Sequence, residues 1–270
     1  MAVGGTVHIG QGFKGSYKHP QPTFESSNLI RFQILQYLTA FYLHKVTQDK
    51  FKAITVISGA FGAFKKHHLF EVKGFRKSLG EDMDITLKMQ QLIKLKYPEQ
   101  RLVMVPEAIC YTECPETFRD LFKQRVRWQK AFVDCILFYK KSFYKEFNPM
   151  TSTFLLLDSL LLGTINAFII LHIPITLLLF PQQYMIPLGL FSMTYFLAVC
   201  QSISVILISR RYNIRYKVRD YIQMLLFIPI EIITYRFLGI PFVLFGTISY
   251  FKNNKTWSET RRFGTNELKF

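Results

Sequence analysis

The sequence predicts an α/β domain followed by an apolar helical region. Short β-branched runs alternate with amphipathic helical patterns over residues 1–150, and long apolar runs follow over residues 151–270. Alternating strands and helices are typical of an α/β fold. A run of about 20 apolar residues is long enough to cross a bilayer. We therefore expect a folded domain over residues 1–150 and a membrane region over residues 151–270.

The first elements follow from hydrophobic period and turn residues. Val3-Gly4-Gly5-Thr6-Val7 predicts a strand, which a loop to residue 28 connects to a helix over residues 29–44. The run Ala53-Ile54-Thr55-Val56-Ile57 is β-branched and ends at Ser58-Gly59. Such a run is typical of a buried strand.

Three later elements complete the domain. A helix is expected after Gly80, because apolar residues recur at helical spacing and acidic residues occupy its first turn. Leu102-Val103-Met104-Val105-Pro106 predicts a second short strand. Pro115-Glu116-Thr117 opens a long amphipathic helix, with Pro and Glu where a helix start favours them.

Three apolar stretches make up the predicted membrane region. Residues 154–180 contain Asp158 as their only charge, and residues 184–209 contain no charge, so each predicts one span. Residues 221–251 contain Glu231, Arg236 and two prolines. A broken, interfacial or hairpin arrangement that returns the C-terminal tail to the starting side is expected for this stretch.

The charge distribution predicts the orientation and the partners. The chain has 34 Lys and Arg against 18 Asp and Glu, a net charge of +16. The loop 181–183 is uncharged whereas residues 210–219 are strongly basic, so the positive-inside rule places that basic loop and residues 1–150 in the cytoplasm. Nucleic acid would not explain the apolar half. Binding to an anionic membrane leaflet and an anionic nucleotide would explain both the basic charge and the apolar half. The sequence therefore predicts a multi-pass protein of the cell membrane.

Metal and disulfide sites are not indicated by the cysteines and histidines. Cys110, Cys114, Cys135 and Cys200 form no C-x-x-C pair and have no His or Cys cluster nearby, so reduced thiols are expected. His67-His68 has no partner at ligand spacing, which favours solvated or packed side chains. Trp257 with Arg261 and Arg262 is interpreted as an interface anchor.

Asp82 is the sharpest catalytic candidate. Attack by a sugar hydroxyl on an anomeric carbon needs a base within hydrogen-bond reach, and a carboxylate that opens a helix beside Gly80 suits that task. The plainer interpretation is that Glu81, Asp82 and Asp84 cap the helix and interact with its dipole. The residues alone favour the plainer interpretation.

Gln124, Arg127 and Trp128 form the second candidate cluster. At positions i, i+3 and i+4 they share one helix face. Arg offers a fixed fork of donors for a diphosphate, Trp a flat surface for a sugar ring, and Gln directional hydrogen bonds. The alternative is a basic amphipathic helix lying on lipid, which does not exclude a nucleotide role for one face. The Gly- and Ala-rich passage at Ser58-Gly59 lets a ligand approach the backbone.

Taken in order, these segments resemble the membrane-bound family 2 glycosyltransferases, the group that includes cellulose, hyaluronan and poly-N-acetylglucosamine synthases. A Q-x-x-R-W pattern that follows an acidic E-D and precedes apolar spans is specific to that group. The matching segments are residues 3–7, residues 58–66, Gly80-Glu81-Asp82, Pro115-Glu116-Thr117 and Gln124-Arg125-Val126-Arg127-Trp128.

The resemblance implies a fold, a reaction and residue roles. It implies part of a GT-A-like, Rossmann-like domain that transfers a sugar with inversion from a UDP-sugar to a growing glycan at the cytoplasmic face. By that resemblance Asp82 is the base, and Glu81 belongs to the substrate site. Ser58 and Gly59 line the acceptor site. The donor diphosphate and the acceptor end are bound by Gln124, Arg127 and Trp128.

The sequence departs from that family in its donor residues. Such enzymes hold Mg²⁺ or Mn²⁺ with an Asp-x-Asp motif upstream, and no Asp-x-Asp precedes Gly80 here. Asp82-Met83-Asp84 fits the pattern by letter but occupies the position of the base. The expectation is therefore the C-terminal part of a glycosyltransferase, truncated, shortened artificially or split from a separate N-terminal half.

Three functions compete at this point. The chain completes an enzyme with a separate N-terminal polypeptide, or it is an inactive remnant or membrane scaffold, or it is a transport protein with a basic cytoplasmic domain. The third is the weakest, because the two clear spans contain only Asp158 as an ionisable residue and transport routes usually need more.

Overall fold

A computed structural model describes residues 1–16, 18–165, 177–180, 182, 184–212, 214–252 and 268–269. The strands are β1 (Ala2–Ile9), β2 (Phe13–Ser16), β3 (His19–Pro22), β4 (Gly62–Phe64), β5 (Leu102–Thr112) and β6 (Leu268–Lys269). The α-helices are α1 (Asn28–Leu38), α2 (Val46–Lys50), α3 (Lys66–Glu71), α4 (Glu81–Leu95), α5 (Phe118–Phe138), α6 (Pro149–Thr153), α7 (Met185–Arg211), α8 (Val218–Ile230) and α9 (Arg236–Phe251). Segments Thr39–Lys45, Phe154–Ile165 and Glu231–Tyr235 are π-helical.

The main sheet has the order β4-β1-β5 and confirms a mixed α/β architecture. Strand β1 pairs antiparallel with β4 and parallel with β5, so that Val3 faces both Ala63 and Val103. A second small sheet has the order β3-β2-β6. Because β1 and β5 are parallel, their carboxyl ends lie at the same edge of the main sheet.

Residues 53–57 do not form the predicted strand. They are mostly buried but join no sheet. Side chains satisfy their backbone instead. Thr55 N–H donates to Gln48 Oε1 at 3.3 Å and Ile57 N–H to Thr86 Oγ1 at 2.9 Å, while Gln90 Nε2 donates to Ile54 C=O at 2.8 Å. The β-branched residues 53–57 therefore indicate a buried segment rather than a paired strand.

Strand β5 continues beyond Pro106, where the predicted strand ended. The pairing jumps from Gly5–Val105 to Thr6–Ile109, which leaves residues 106–108 as a bulge. Thr6 Oγ1 donates to the C=O of Pro106 at 3.0 Å across the bulge. A bulge accommodates the proline because the ladder needs no N–H at that position.

Three other boundaries differ from the sequence prediction. The expected loop before residue 28 contains the hairpin β2–β3, which turns after Gly15 at φ +94°. Helix α1 begins after its cap Ser27, and helical structure continues to Lys50 rather than ending at residue 44. Helix α5 begins at Phe118, because the Thr117 hydroxyl accepts the N–H of Asp120 at 3.2 Å.

Three buried apolar clusters of described residues hold the elements together. One lies between the main sheet and α4 and contains Ile57 and Ile85. A second joins α4 to α5, where Leu87 and Ile136 belong to the same cluster. The third joins α1 to the C-terminal helices α7 and α8 and includes Phe227. The apolar helices therefore pack directly against the α/β part.

Helix α9 packs along α5 at a small residue. A Cβ on Gly246 would lie 2.5 Å from Gln129 Cβ, a distance that only glycine permits. The Gln129 amide donates to Thr164 Oγ1 at 3.1 Å and to Thr247 Oγ1 at 3.2 Å. Three helical segments thus meet at Gln129, one position after Trp128.

Among the described residues, one helix is long and apolar enough to cross a membrane, Pro187–Arg211 within α7. The segments Val218–Thr234 and Phe237–Phe251 pass the same test only as a pair, which is bent by 44°. Residues 166–176 of the predicted span 154–180 lie outside the described residues, as do Trp257, Arg261 and Arg262. The number of spans and their orientation stay predictions.

A buried histidine links β1 to the π-helical segment 39–45. His8 is 4% exposed, and its Nε2 lies 2.8 Å from the hydroxyl of Tyr42. Burial lowers the pKa of His8 to about 4. The ring is therefore neutral in the folded protein at pH 6, where the unfolded chain already takes up a proton.

Acidification should destabilise the protein through His8. Between pH 6.5 and pH 4, His8 is protonated in the unfolded chain but stays neutral in the folded protein. This difference lowers the free energy of unfolding by up to about 3 kcal/mol as the pH falls. The variant His8→Gln keeps a polar partner for Tyr42 and lacks this titration. The melting temperature in detergent should fall further in the wild type than in His8→Gln between pH 7 and pH 4.5. Parallel curves would refute the assignment.

Candidate functional site

Asp82 and Ser58-Gly59 meet at the start of α4. Asp82 Oδ2 accepts the N–H of Gly59 at 3.2 Å, and Oδ1 accepts the N–H of Met83 at 2.8 Å. A Cβ on Gly59 would lie 3.4 Å from Asp82 Cβ. Two of the predicted site segments, 23 positions apart in sequence, are therefore in contact.

The Asp82 carboxylate is fixed but still accessible. Asp82 is half-buried and Gly59 is exposed. An ionised carboxylate has about four lone-pair sites, and the two N–H groups occupy one on each oxygen. The bond from Met83 N–H stabilises the first turn of α4, as expected if Asp82 only stabilises the start of the helix. It still leaves lone pairs on the carboxylate for a ligand. Capping and catalysis are compatible at this position.

Asp84 has a structural environment. It is 0% exposed, and its Oδ1 accepts Arg76 Nε at 2.8 Å and the Tyr139 hydroxyl at 2.9 Å. Lys88 Nζ lies 3.4 Å from its other oxygen. The letters Asp82-Met83-Asp84 therefore do not describe two carboxylates aimed at one ligand.

Arg76 connects the two helices that carry the candidate clusters. Besides Asp84 on α4, it donates from Nη2 to Asp134 on α5 at 2.6 Å, and its guanidinium lies 4.1 Å from the ring centre of Phe138. Burial lowers the pKa of Arg76, but the bonds to Asp84 and Asp134 outweigh burial and raise it above its usual value. Asp134 also accepts the Tyr250 hydroxyl at 3.2 Å, which extends the network to α9.

The start of α4 packs on α5 at Gly80. A Cβ on Gly80 would lie 2.6 Å from Ala131 Cβ, far closer than real side chains approach. Ala131 is three positions after Trp128, so the acidic cluster lies against the helix that carries the Gln/Arg/Trp cluster. The two helices that carry the clusters are thus in contact at a position that requires glycine.

The Gln/Arg/Trp cluster is partly open to solvent. Trp128 is 41% exposed, while Gln124 and Arg127 are half-buried. In the part of the chain that the structure describes, the buried Oε1 of Gln124 has no hydrogen-bond partner. The exposed indole offers a flat apolar surface of the kind that contacts sugar rings.

Arg125 also contacts the cluster, although the sequence pattern did not mark it as a site residue. Its guanidinium carbon lies 4.2 Å from the Trp128 ring centre. Within the described residues, its buried Nε and Nη2 have no hydrogen-bond partner. An exposed cation–π contact contributes about 0.5–1 kcal/mol, whereas each unpaired buried group costs about 1–3 kcal/mol. The i, i+3 spacing of Arg and Trp was the available signal.

Lys45 was also missed. It ends the π-helical segment 39–45, and its ammonium donates to the C=O of Val56, two positions before Ser58. Burial lowers the pKa of Lys45 to about 8, against the opposing effect of the Asp82 carboxylate. A lone lysine within an apolar helical pattern gave no sequence signal of this placement.

The remaining sequence candidates have packing roles. His68 is buried, with Nε2 2.9 Å from Gln100 Oε1 and Nδ1 3.6 Å from a Glu71 oxygen, as predicted for a packed histidine. The four cysteines are free, which confirms the predicted thiols. Burial raises the pKa of Cys114 and of Cys135 to about 12.

The described residues do not fit a bound divalent cation. They include no group of three or more His, Cys, Asp or Glu side chains that could hold a metal ion. The nearest approach to an Asp-x-Asp motif fails because Asp84 is enclosed by Arg76, Lys88 and Tyr139.

Comparison with known proteins decides the family. The family model described as "Glycosyl transferase family group 2" matches residues 4–208, more than half of the chain. The chain belongs to this family. The match includes both candidate clusters and most of α7.

Curated relatives match a shorter segment of the chain. Poly-beta-1,6-N-acetyl-D-glucosamine synthase of Staphylococcus epidermidis is 31% identical over 121 residues, which is 44% of this chain and 28% of that protein. The synthase of the same name from Staphylococcus aureus (strain COL) is 30% identical over 121 residues, with the same shares of each chain. The matched segment thus spans little more than a quarter of these relatives.

Removal of Arg76 should destabilise the α4–α5 junction. Arg76→Met deprives the buried Asp84 of its principal cationic partner, and breaking a buried pair costs about 3–5 kcal/mol. The control Lys77→Met removes an exposed charge at the next position and should leave the melting temperature unchanged. Adding Asp84→Asn to Arg76→Met should recover part of the loss, because the uncompensated charge is gone. An Arg76→Met protein as stable as Lys77→Met would contradict the network.

Gly80 should tolerate no side chain. Gly80→Ala places a methyl group 2.6 Å from Ala131 Cβ. We expect the free energy of unfolding to fall by about 1–3 kcal/mol, as is typical when a side chain is forced into a packed core. Gly189→Ala is the matched control, since nothing lies within 4 Å of its added Cβ. Thermal unfolding in detergent should show a lower melting temperature for Gly80→Ala alone, and equal values for the two variants would rule out the tight contact.

Proposed function

We propose that this chain carries the acceptor side of an inverting glycosyltransferase, which transfers a sugar from a UDP-sugar to a growing glycan or another acceptor. Family membership supports the reaction class. The observation that supports the residue assignment is the Asp82 carboxylate, which Gly59 N–H holds at an accessible edge of the domain. The first donor to test is UDP-N-acetylglucosamine, because the matched relatives are named as poly-N-acetyl-D-glucosamine synthases.

Asp82 acts as the base in the proposed reaction. It takes the proton from the acceptor hydroxyl, whose oxygen forms a bond to the anomeric carbon of the donor sugar. The bond from that carbon to the phosphate oxygen breaks, and UDP leaves with the electron pair. Attack from the side opposite to UDP inverts the anomeric configuration.

The neighbouring residues bind the two substrates. Arg127 and Gln124 contact the donor diphosphate and the acceptor end, and Trp128 offers its exposed indole to the acceptor sugar. Ser58 and Gly59 line the acceptor site beside the base, with Glu81 at its entrance. Arginine suits a diphosphate because its planar fork of donors matches two phosphate oxygens.

The donor side is proposed to come from polypeptide outside residues 1–270. A divalent cation, Mg²⁺ or Mn²⁺, would neutralise the diphosphate as UDP leaves. The described residues do not fit such a cation, so a separate N-terminal half with an Asp-x-Asp motif is the proposed partner.

The reaction is placed at the cytoplasmic face of the cell membrane. Helix α7 is long and apolar enough to span a bilayer, and Arg210 and Arg211 at its end favour the cytoplasmic side. Helices α8 and α9, whose segments are bent by 44° between Thr234 and Phe237, would lie in or on the same bilayer. The lipid contacts and the multi-pass topology are part of this proposal.

The second candidate is an inactive membrane scaffold. It is favoured by the same lack of a fit to a donor cation among the described residues. UDP release from UDP-N-acetylglucosamine with Mn²⁺ separates the two, measured for this chain alone and with a polypeptide that carries the Asp-x-Asp half. Activity only in the mixture supports the enzyme. No activity in either supports the scaffold, and turnover by this chain alone contradicts the missing donor side.

Replacement of the base should abolish transfer without unfolding. Asp82→Asn keeps an oxygen for Gly59 N–H or Met83 N–H but cannot take a proton, so the turnover number should fall by about 10²–10⁴. Glu99→Gln removes an exposed carboxylate and serves as the control. UDP release by the assembled enzyme and the melting temperature are measured together. Undiminished turnover of Asp82→Asn would remove Asp82 from the mechanism.

A further inference from the structure

Arg125 lies against one face of Trp128. The guanidinium carbon is 4.2 Å from the ring centre, and the two residues are three positions apart on α5. Trp128 is nevertheless 41% exposed. One indole face is therefore covered by a planar cation while part of the residue stays open to solvent.

Stability does not explain this arrangement. In the described part of the chain, the buried Nε and Nη2 of Arg125 have no hydrogen-bond partner. Leaving two buried donors unpaired costs more than stacking on a half-exposed ring returns. Two carboxylates lie near enough to be possible partners of the guanidinium. Glu113 and Glu116, like Arg125, shift the pKa of the Cys114 thiol through their charge. The guanidinium is bonded to none of them through those two nitrogens.

We propose that Arg125 is a positioning residue for Trp128, which fixes the indole so that its free face receives the acceptor sugar. A planar guanidinium restrains the tilt of the ring in a way that a flexible ammonium does not. A carboxylate partner would draw the guanidinium away from the ring, which accounts for the unpaired nitrogens. This inference rests on the proposed function for the identity of the ligand but not for the restraint itself.

Fluorescence tests the restraint without any enzymatic activity. The chain has two tryptophans, so Trp257→Phe leaves Trp128 as the only tryptophan, which is excited selectively at the red edge of the absorption band. In that background, Arg125→Met should raise acrylamide quenching of Trp128 by up to about two-fold, the limit for a residue that is already 41% exposed and loses the cover of one face. Its fluorescence anisotropy should fall. Arg125→Lys should be intermediate, because it keeps the charge and loses the plane.

Matched measurements separate positioning from a general structural role. Arg119→Met removes an exposed cation from the first turn of the same helix and should leave the emission unchanged. The melting temperature of Arg125→Met should equal or exceed that of the parent, since unpaired donors are removed. Unchanged quenching and anisotropy in folded Arg125→Met would overturn the proposal, and so would a large drop in melting temperature.

Kinetics then test the link to the acceptor. In the assembled enzyme, Arg125→Met should raise KM for the acceptor and leave KM for the UDP-sugar unchanged. Equal effects on both would overturn the acceptor role. If the parent protein shows the restraint but no transfer, the proposed function fails while the restraint stands, so the two failures are distinguishable.

Discussion

The contact of Gly80 with Ala131 is the constraint on which the site depends. Asp82 lies two positions after this contact, and Trp128 lies three positions before it. A larger residue at Gly80 would push α4 away from α5, because its Cβ would overlap Ala131. The distance between the start of α4, which carries Asp82, and α5, which carries Trp128, is thus set by a contact that requires glycine.

Buried charge reinforces the same junction. Asp84 is fully buried on α4, and burying a carboxylate is costly unless partners compensate it. Arg76 supplies that compensation and bonds Asp134 on α5 at the same time, so one guanidinium holds two helices in register. Tyr250 joins the network from α9. The apolar C-terminal helices and the candidate site therefore belong to one packed unit.

Within that unit the site combines fixed and open parts. Asp82 is held by two backbone N–H groups, which sets the direction of its remaining lone pairs. Trp128 is 41% exposed and has the Arg125 guanidinium 4.2 Å from its ring centre. The carboxylate is held in one direction, whereas the indole keeps an accessible surface.

The sequence by itself determined the mixed α/β class, the helix after Gly80 and the apolar character of residues 184–209. These follow from local period and turn residues, which are properties of neighbouring positions. It also indicated Asp82 and the residue 124–128 cluster, since their types suit the chemistry. Its strand prediction for residues 53–57 was wrong, because side chains of Gln48, Thr86 and Gln90, rather than a neighbouring strand, bond the backbone there.

The tertiary structure alone decided what lies beside what. Asp84 and Asp82 look equivalent in sequence, yet Asp84 is fully enclosed by Arg76 and Tyr139, whereas Asp82 is half-buried and bonded to backbone N–H groups. Lys45, on the helical segment 39–45, donates to the C=O of Val56. The Arg125 guanidinium contacts the Trp128 indole rather than a carboxylate. Such partners are distant along the chain or chosen among several neighbours, so no local pattern encodes them. Packing distance and burial make that choice.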